Sequence, residues 1–151
     1  MRAITPFLWF DDNLEEAVAF YTSVFPGGKT HGMMRAPDGK VFTADFELAG
    51  QQIKGLNGGP QFRFTEAFSL FVECDDQEEV DRYWAALTAD GGEESVCGWL
   101  KDKFGLSWQI IPVAFLEMVS DGDPDQSQRV MASMQTMRKL DVAELRKAYE
   151  G

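Results

Sequence analysis

The chain contains two copies of one strand–helix pattern. Each copy runs from an apolar segment through an Asp pair, a Glu pair and an aromatic pair to a Gly-Gly pair. The Asp pairs, Asp11-Asp12 and Asp75-Asp76, are 64 residues apart, as are the closing glycines, whereas the Glu and aromatic pairs are 63 residues apart. A repeated supersecondary unit predicts two modules that stack to bury a core, and the cleft inside or between such modules is a natural ligand site.

The first copy is predicted to have the order βαβββ. A β-prone apolar segment over residues 4–10 precedes a helix, for which Asn13 is the expected N-cap. Pro26-Gly27-Gly28 ends this helix, and residues 29–35 and 41–57 contain three strands separated by glycine turns.

The second copy repeats this order. A strand over residues 68–74 precedes a helix that Asp76 caps, with Glu79 at its third position. Short strands are expected near 94–97, 99–104 and 107–112. Lys101-Asp102-Lys103 is interpreted as a solvated hairpin.

A C-terminal extension is predicted to be helical. Asp123 and Asp141 are typical N-caps, and Pro124 suits a first helical turn. Between them, four apolar residues recur at helical spacing: Val130, Met131, Met134 and Met137. Packing is the simplest interpretation of this stripe, and contact between subunits is the alternative.

These elements predict one α+β domain over residues 1–151. It consists of two βαβββ modules, about 3–59 and about 66–113, that form a curved, partly open barrel-like sheet, and of helices over about 114–151. The length and the 44 % hydrophobic content suffice for a packed core.

Composition excludes several classes of partner. The net charge of −11 and the absence of a basic block argue against nucleic acid and anionic membranes. Apolar runs are too short to cross a bilayer, and the N-terminus lacks the pattern of a signal peptide, so a cytoplasmic protein is expected. Cys74 and Cys97 lack metal-binding spacing and are expected to be free thiols.

Several motifs resemble one protein superfamily. They are Phe7-Leu8-Trp9-Phe10, Phe20-Tyr21-Thr22-Ser23-Val24-Phe25-Pro26, Leu56-Asn57-Gly58-Gly59-Pro60, Gln77 to Trp84 and Cys97 to Gln109. Over essentially the whole chain, the sequence resembles the PhnB-like branch of the glyoxalase, bleomycin-resistance and extradiol-dioxygenase (vicinal oxygen chelate) superfamily. Proteins of this branch are often described as 3-demethylubiquinone-9 3-methyltransferases, but no glycine-rich strand–turn–helix loop supports a nucleotide crevice here.

The resemblance also implies where a metal would bind. Metal-using members place four ligands, usually two His and two Glu, on the first and last strand of each module. The matching positions here are Thr5, Lys54, Ser69 and Gln109. Because none supplies an imidazole or carboxylate, we expect no metal and no cofactor.

The remaining candidates form a ligand site around the second module. Gln109 is expected to face a cavity together with Ser69 and Trp99, and Trp108 to face the helix. Asn57-Gly58-Gly59 suggests a loop whose open backbone N–H groups bind ligand oxygens, with a connecting turn as the alternative. Phe62 and Phe64 could then cover the pocket.

Two further side chains have a chemical and a plain interpretation. His31 is the only histidine, and a strand position favours a packed or solvated side chain over a general base. Cys97 is expected to be a buried inert thiol, and the alternative is a thiolate activated by Lys101 or Lys103.

Three functions are compatible with these features. The first is a metal-free protein that binds a small neutral or weakly polar organic ligand through Thr5, Asn57, Ser69 and Gln109. The second is a lyase, isomerase or dioxygenase-like enzyme with an unrecognised metal or a Cys97-dependent site. The third is an interaction protein whose dimer surface is the functional part.

The resemblance and the methionine stripe predict a homodimer. Such an interface would be isologous and largely apolar. Light scattering at micromolar protein should therefore give about twice the monomer mass of 17.0 kDa. A measured mass equal to that of one chain would contradict this prediction.

Overall fold

The computed structural model describes all 151 residues, in two compact units over Met1–Phe64 and Thr65–Gly151. Each unit contains one four-stranded sheet of mixed strand direction. The two sheets have the same topology, so the sequence repeat corresponds to a structural repeat. The predicted α+β fold with two βαβββ modules and C-terminal helices is confirmed, and the strands form two separate sheets.

Unit 1 has one helix among four strands. Its elements are β1 (Phe7–Phe10), α1 (Leu14–Val24), β2 (Lys29–Arg35), β3 (Val41–Leu48) and β4 (Gln51–Asn57). The strand order is β1-β4-β3-β2, in which β1 runs parallel to β4 and the other pairs are antiparallel.

Alternation along the strands of unit 1 separates a buried face from an open one. In β3, Ala44, Phe46 and Leu48 are buried, whereas the intervening Thr43, Asp45 and Glu47 are half-exposed. The buried side chains pack with the apolar face of α1, formed by Leu14, Ala17, Val18 and Tyr21. One face of this sheet is therefore covered by a helix and the other carries polar groups.

Unit 2 repeats this arrangement and continues into the extension. Its elements are β5 (Ser69–Cys74), α2 (Gln77–Thr88), β6 (Glu93–Glu94), β7 (Trp99–Lys101), β8 (Ser107–Pro112), α3 (Val113–Asp121), α4 (Pro124–Met134) and α5 (Val142–Glu150). A short 3-10 turn over Ala89–Gly91 follows α2. The strand order is β5-β8-β7-β6, with β5 parallel to β8.

Three of the predicted helix caps are confirmed. The side chains of Asp76, Asp123 and Asp141 each accept a hydrogen bond from the backbone N–H three residues later, at 2.8–3.0 Å. Asn13 occupies the predicted N-cap position of α1, but its side chain makes no capping bond. The Oδ1 of Asn57 instead accepts from the Leu14 N–H at 2.9 Å.

Three predicted strands are shorter than expected. The first begins at Phe7 instead of residue 4. The strand expected over 94–97 ends at Glu94, because Cys97 adopts a φ of +59° that no strand accommodates. The strand expected over 99–104 ends at Lys101, where a turn begins.

The solvated hairpin expected at Lys101-Asp102-Lys103 is wrong for its central residue. Asp102 is only 2 % exposed. Its Oδ1 accepts from the backbone N–H groups of Phe104 and Leu106 at 2.8 and 3.1 Å, and its Oδ2 accepts from the indole N–H of Trp108 at 2.8 Å. The carboxylate therefore holds the β7–β8 turn together, because it pairs donors that would otherwise be buried and unsatisfied.

The C-terminal helices have a core of their own, which includes one end of β8. Its buried members are Ile111, Met118, Val130, Leu140 and Leu145. Aspartate caps begin α4 and α5, and Tyr149 packs against this core. None of the helices combines the length and the apolar character needed to cross a bilayer.

Candidate functional site

The side chains of the candidate site lie in one row across the sheet of unit 2. The strand register pairs Phe71 with Gln109 and Gln109 with Trp99, so these three side chains share a face. The neighbouring Trp108 points to the opposite face and is 2 % exposed. The orientations of Gln109 and Trp108 in the structure therefore agree with the prediction.

Gln109 is joined to Ser69 within this face. The amide Nε2 of Gln109 donates to the hydroxyl oxygen of Ser69 at 2.9 Å. Both residues are partly buried. This bond fixes the orientation of the amide and uses one of its several hydrogen-bonding positions.

An apolar cavity of about 300 Å³ lies over this row. Its lining is hydrophobic except for a few uncharged groups. The sheet side is formed by Phe71, Trp99, Gln109, Ile111 and Cys97, and the helix side by Phe115, Leu116, Val119, Ser120, Met131 and Met134. No charged side chain contributes to it.

A second cavity of about 550 Å³ lies toward β6 and β7, and we call it the polar cavity. It shares Trp99 and Cys97 with the apolar cavity. Its lining contains one cation and three carboxylates, at Lys101, Glu66, Glu93 and Glu94.

Most charges of the polar cavity already have partners in the chain. Lys101 and Glu66 form an ion pair; their hydrogen bond lowers the pKa of Glu66 and raises the pKa of Lys101. Glu94 accepts from the indole N–H of Trp84 at 2.6 Å. An anion in this cavity would meet an excess of negative charge, and a cation would compete with Lys101 for Glu66.

Ser107 has the least satisfied polar group in the chain. Its side chain is 1 % exposed, lines the polar cavity, and its hydroxyl has no hydrogen-bond partner. A hydroxyl buried in this way costs free energy. It lies beside Lys101 in the strand register but is not joined to it by a hydrogen bond.

Cys97 and Gly98 form a tight backbone turn beside both cavities. Both residues have positive φ, and their N–H groups donate to Met137 and Arg138 carbonyl oxygens at 2.8 Å. A Cβ at Gly98 would lie 2.9 Å from the Ile111 side chain. This turn therefore docks the connection between α4 and α5 onto the sheet, which accounts for the unusual backbone of Cys97.

The expectation that Cys97 is a buried thiol is wrong, because it is only partly buried. The two lysines proposed to activate Cys97 are nevertheless engaged elsewhere. Lys101 pairs with Glu66, and the ammonium of Lys103 lies over the ring of Phe104 at 5.4 Å. The other thiol, Cys74, is fully buried, and burial raises its pKa to about 12. Cys74 is therefore an inert core residue.

The Asn57-Gly58-Gly59 loop is part of the framework of unit 1. Besides capping α1, the Asn57 amide donates to the Val41 carbonyl at 2.9 Å. The expected open N–H groups are not open, because those of Gly58 and Gly59 donate to the carbonyls of Phe10 and Asp11. The alternative interpretation as a structural turn fits these contacts.

The aromatic residues after this loop pack on β1. Phe62 meets Trp9 edge-on at 5.0 Å, and Phe64 meets Phe10 at 5.2 Å. The Trp9 indole N–H donates to the Gly59 carbonyl, and a Cβ at Gly58 would lie 2.3 Å from this ring. Phe62 and Phe64 line neither cavity of unit 2.

The four positions that correspond to superfamily metal ligands do not fit a metal ion. In unit 1, Thr5 precedes β1, and the Lys54 ammonium forms an ion pair with Asp45. In unit 2, Ser69 and Gln109 bind each other. Nowhere do three or more His, Cys, Asp or Glu side chains come together in a way that could hold a metal ion.

His31 also has a local role. Its Nε2 lies 2.9 Å from the Glu47 carboxylate on the neighbouring strand. This hydrogen bond lowers the pKa of Glu47, and the Gln52 amide strengthens the effect. His31 is exposed and lines neither cavity, in agreement with the plain interpretation.

Comparison with known proteins identifies the family. The model of the family described as 3-demethylubiquinone-9 3-methyltransferase matches residues 2–111. The chain belongs to this PhnB-like family. No curated protein matches the PhnB-like chain closely enough to indicate an activity.

Solved structures agree with this assignment. A putative 3-demethylubiquinone-9 3-methyltransferase, the PhnB protein from Bacillus cereus, is 33% identical to the PhnB-like chain, with a TM-score of 0.69 over 74% of this chain and 99% of that one. Protein PA1353 from Pseudomonas aeruginosa is 20% identical, with a TM-score of 0.62 over 74% and 98%. The fosfomycin resistance protein FosX from Listeria monocytogenes, solved with Mn(II) and sulfate, is 19% identical, with a TM-score of 0.51 over 72% and 89%.

Sequence reasoning found the sheet side of the apolar cavity and missed its helix side. Phe115, Leu116 and Val119 were not distinguished from ordinary helix residues. The stripe that includes Met131 and Met134 was the available signal, because thioether side chains are common at adaptable binding surfaces. Packing describes Met134, which contacts the core of the extension, but both side chains also line the apolar cavity.

We expect Asn57→Ala to destabilise the PhnB-like chain by about 2 kcal/mol, because it removes the α1 cap and the bond to Val41. Asn13→Ala is the matched control at the N-cap position itself, where the side chain makes no capping bond. Urea unfolding of both variants measures the difference. Equal losses of stability would show that Asn57 is not the cap.

Proposed function

We propose that this chain is a small-molecule binding protein that holds a neutral or weakly polar organic ligand in the apolar cavity of unit 2, without a metal. The observation that carries this proposal is a cavity of about 300 Å³ with a single amide, Gln109, among hydrophobic and aromatic side chains. Concave apolar pockets with few oriented polar groups are the usual form of small-molecule sites.

The Gln109 amide is suited to recognise one polar group. Ser69 holds it at 2.9 Å, so a ligand need not order it on binding. A primary amide offers two N–H donors and a carbonyl acceptor, and the bond to Ser69 uses one of them. A hydroxyl or carbonyl of a ligand can therefore pair with the rest.

Charge favours a neutral ligand over an anion. The lining of the apolar cavity contains no cation that could pair with a carboxylate or phosphate. The chain carries a net charge of −11, which lowers the local concentration of anions. Desolvating an unpaired anion in such a cavity would cost several kcal/mol.

Relatives do not transfer a reaction to this site. Mn(II) in FosX belongs to a protein that is similar in fold alone. The donors at the corresponding positions here are Thr5, Lys54, Ser69 and Gln109, which suit a hydrogen-bonding site better than a metal centre. A thiol enzyme based on Cys97 is less well supported, because its candidate cations are paired elsewhere.

A homodimer also remains part of the proposal. Large apolar side chains are exposed in unit 1, among them Phe7 at 56 % and Met34 at 60 %. Phe7 and Met34 lie on the two edge strands of one sheet, and exposed apolar side chains are compatible with a surface that contacts another protein. The light-scattering measurement described above decides this point.

Binding is tested with para-butylphenol, whose hydroxyl can pair with Gln109, and with para-butylbenzoate, its anionic counterpart. Displacement of the neutral fluorophore phenylnaphthylamine reports both. We expect the phenol to bind and the benzoate to bind more weakly. Gln109→Leu should weaken binding of the phenol by about 1–3 kcal/mol, because the hydroxyl of the phenol is then buried without a partner.

The matched control is Gln128→Leu, the same replacement at an exposed position of α4 outside the cavity. It should bind as the unaltered protein does. The melting temperatures of both variants should differ little from that of the unaltered protein. A Gln109→Leu protein that unfolds, or that binds the phenol normally, would mean that Gln109 serves the fold and not recognition.

Metal content is a separate expectation. After dialysis against a chelator, elemental analysis should find no stoichiometric Zn, Ni, Mn or Fe, because the corresponding donor positions lack imidazole and carboxylate groups. FosX treated in parallel is the positive control for detection before dialysis. About one metal ion per chain after dialysis would overturn the metal-free proposal.

A further inference from the structure

We infer that the C-terminal helices α3 and α4 form a specificity wall, which selects ligands of the apolar cavity by the length of their apolar part. The wall is defined by Phe115, Leu116, Val119, Met131 and Met134. This inference rests on the proposed function, since it concerns the same cavity. It concerns a part of the chain that the family match does not include, because these helices lie beyond residue 111.

The family match ends before the wall begins. The family model ends at residue 111, and α3 begins at Val113. The Bacillus cereus PhnB protein is aligned over 99% of its own length with 74% of this chain. The wall therefore lies outside the part of the chain that defines the family.

The wall supplies most of the hydrophobic surface of the cavity. Five of its apolar lining side chains come from α3 and α4, whereas the sheet contributes Phe71, Trp99 and Ile111 as its large apolar groups. Without the helices, the Gln109 row would form one side of an open sheet. With them, a ligand whose polar group pairs with Gln109 places its apolar part against the helices.

The wall is held against the sheet by the core that Ile111 of β8 shares with Met118 of α3 and Val130 of α4. The connection that follows α4 is anchored as well, because the backbone N–H groups of Cys97 and Gly98 donate to its carbonyl oxygens at 2.8 Å. The Gln77 side chain donates to the Leu140 carbonyl at 3.0 Å and accepts from the Val142 N–H at 2.8 Å. A wall held in this way sets a definite cavity length, because it cannot recede freely from a longer ligand.

Met131 is the position at which the wall can be changed with least effect on folding. Its side chain is 37 % exposed, and it is outside the buried core of the extension. Leu116 is partly buried and packs against that core. A larger side chain at Met131 should fill the cavity, and a smaller one at Leu116 should lengthen it.

The experiment measures displacement of phenylnaphthylamine by para-alkylphenols with chains from ethyl to octyl. The unaltered protein should show a preferred length, beyond which affinity falls. Met131→Trp should weaken binding of the preferred phenol by about tenfold or more, because the added ring overfills the site. Leu116→Ala should move the preference toward longer chains by about one or two carbons.

Ala132→Trp is the matched control, because it adds the same ring at an exposed position of α4 outside the cavity. It should leave the length preference unchanged. If the unaltered protein and Gln109→Leu behave as proposed but both wall variants keep the original preference, the wall inference fails and the binding function stands. If the unaltered protein binds none of the phenols, both fail. Unfolding of Leu116→Ala is detected by circular dichroism, and Met131→Trp then decides alone.

Discussion

One helix per four-stranded sheet leaves half of the sheet surface uncovered, and this constraint governs both units. In unit 1, α1 buries one face, and the other carries polar groups such as Asp45 and Glu47 together with the exposed Phe7 and Met34. In unit 2, α2 covers one face, while the opposite face presents Phe71 and Trp99. Apolar groups there need a cover, and the C-terminal helices supply it while leaving a cavity.

Buried polar groups determine where the elements end. Asp102 accepts two hydrogen bonds from the β7–β8 turn and one from the Trp108 indole in β8, and β7 stops at Lys101 just before it. The Asn57 side chain accepts a hydrogen bond from the first turn of α1, although Asn57 lies 43 residues further along the chain. In both places, one side chain satisfies backbone groups that local sequence leaves without partners.

The sequence was sufficient for most local interactions, and the local bonds of Asp102 are the exception. The caps at Asp76, Asp123 and Asp141, whose side chains bond the backbone three residues later, were predicted correctly. The alternation that buries Trp108 and turns Gln109 to the open face was also predicted correctly. Interactions between distant segments were missed. The replacement of Asn13 by Asn57 as a cap, and the docking of residues 137–138 on Cys97 and Gly98, depend on tertiary contacts that periodicity does not encode.

The same distinction explains what could be inferred about the site. Whether a position can supply a metal donor depends on its residue type. The lack of such donors at Ser69 and Gln109 could therefore be recognised from the sequence by resemblance. How the two side chains are arranged is a matter of geometry: they lie 2.9 Å apart and bind each other. A metal centre attracts charged oxygen ligands, whereas an amide oriented by a hydroxyl discriminates by hydrogen bonding and by the shape around it. In the proposed site the amide would recognise one polar group of a ligand and the apolar walls would select for its remaining shape. In this chain most of the apolar side chains that line the cavity come from helices that lie outside the family match.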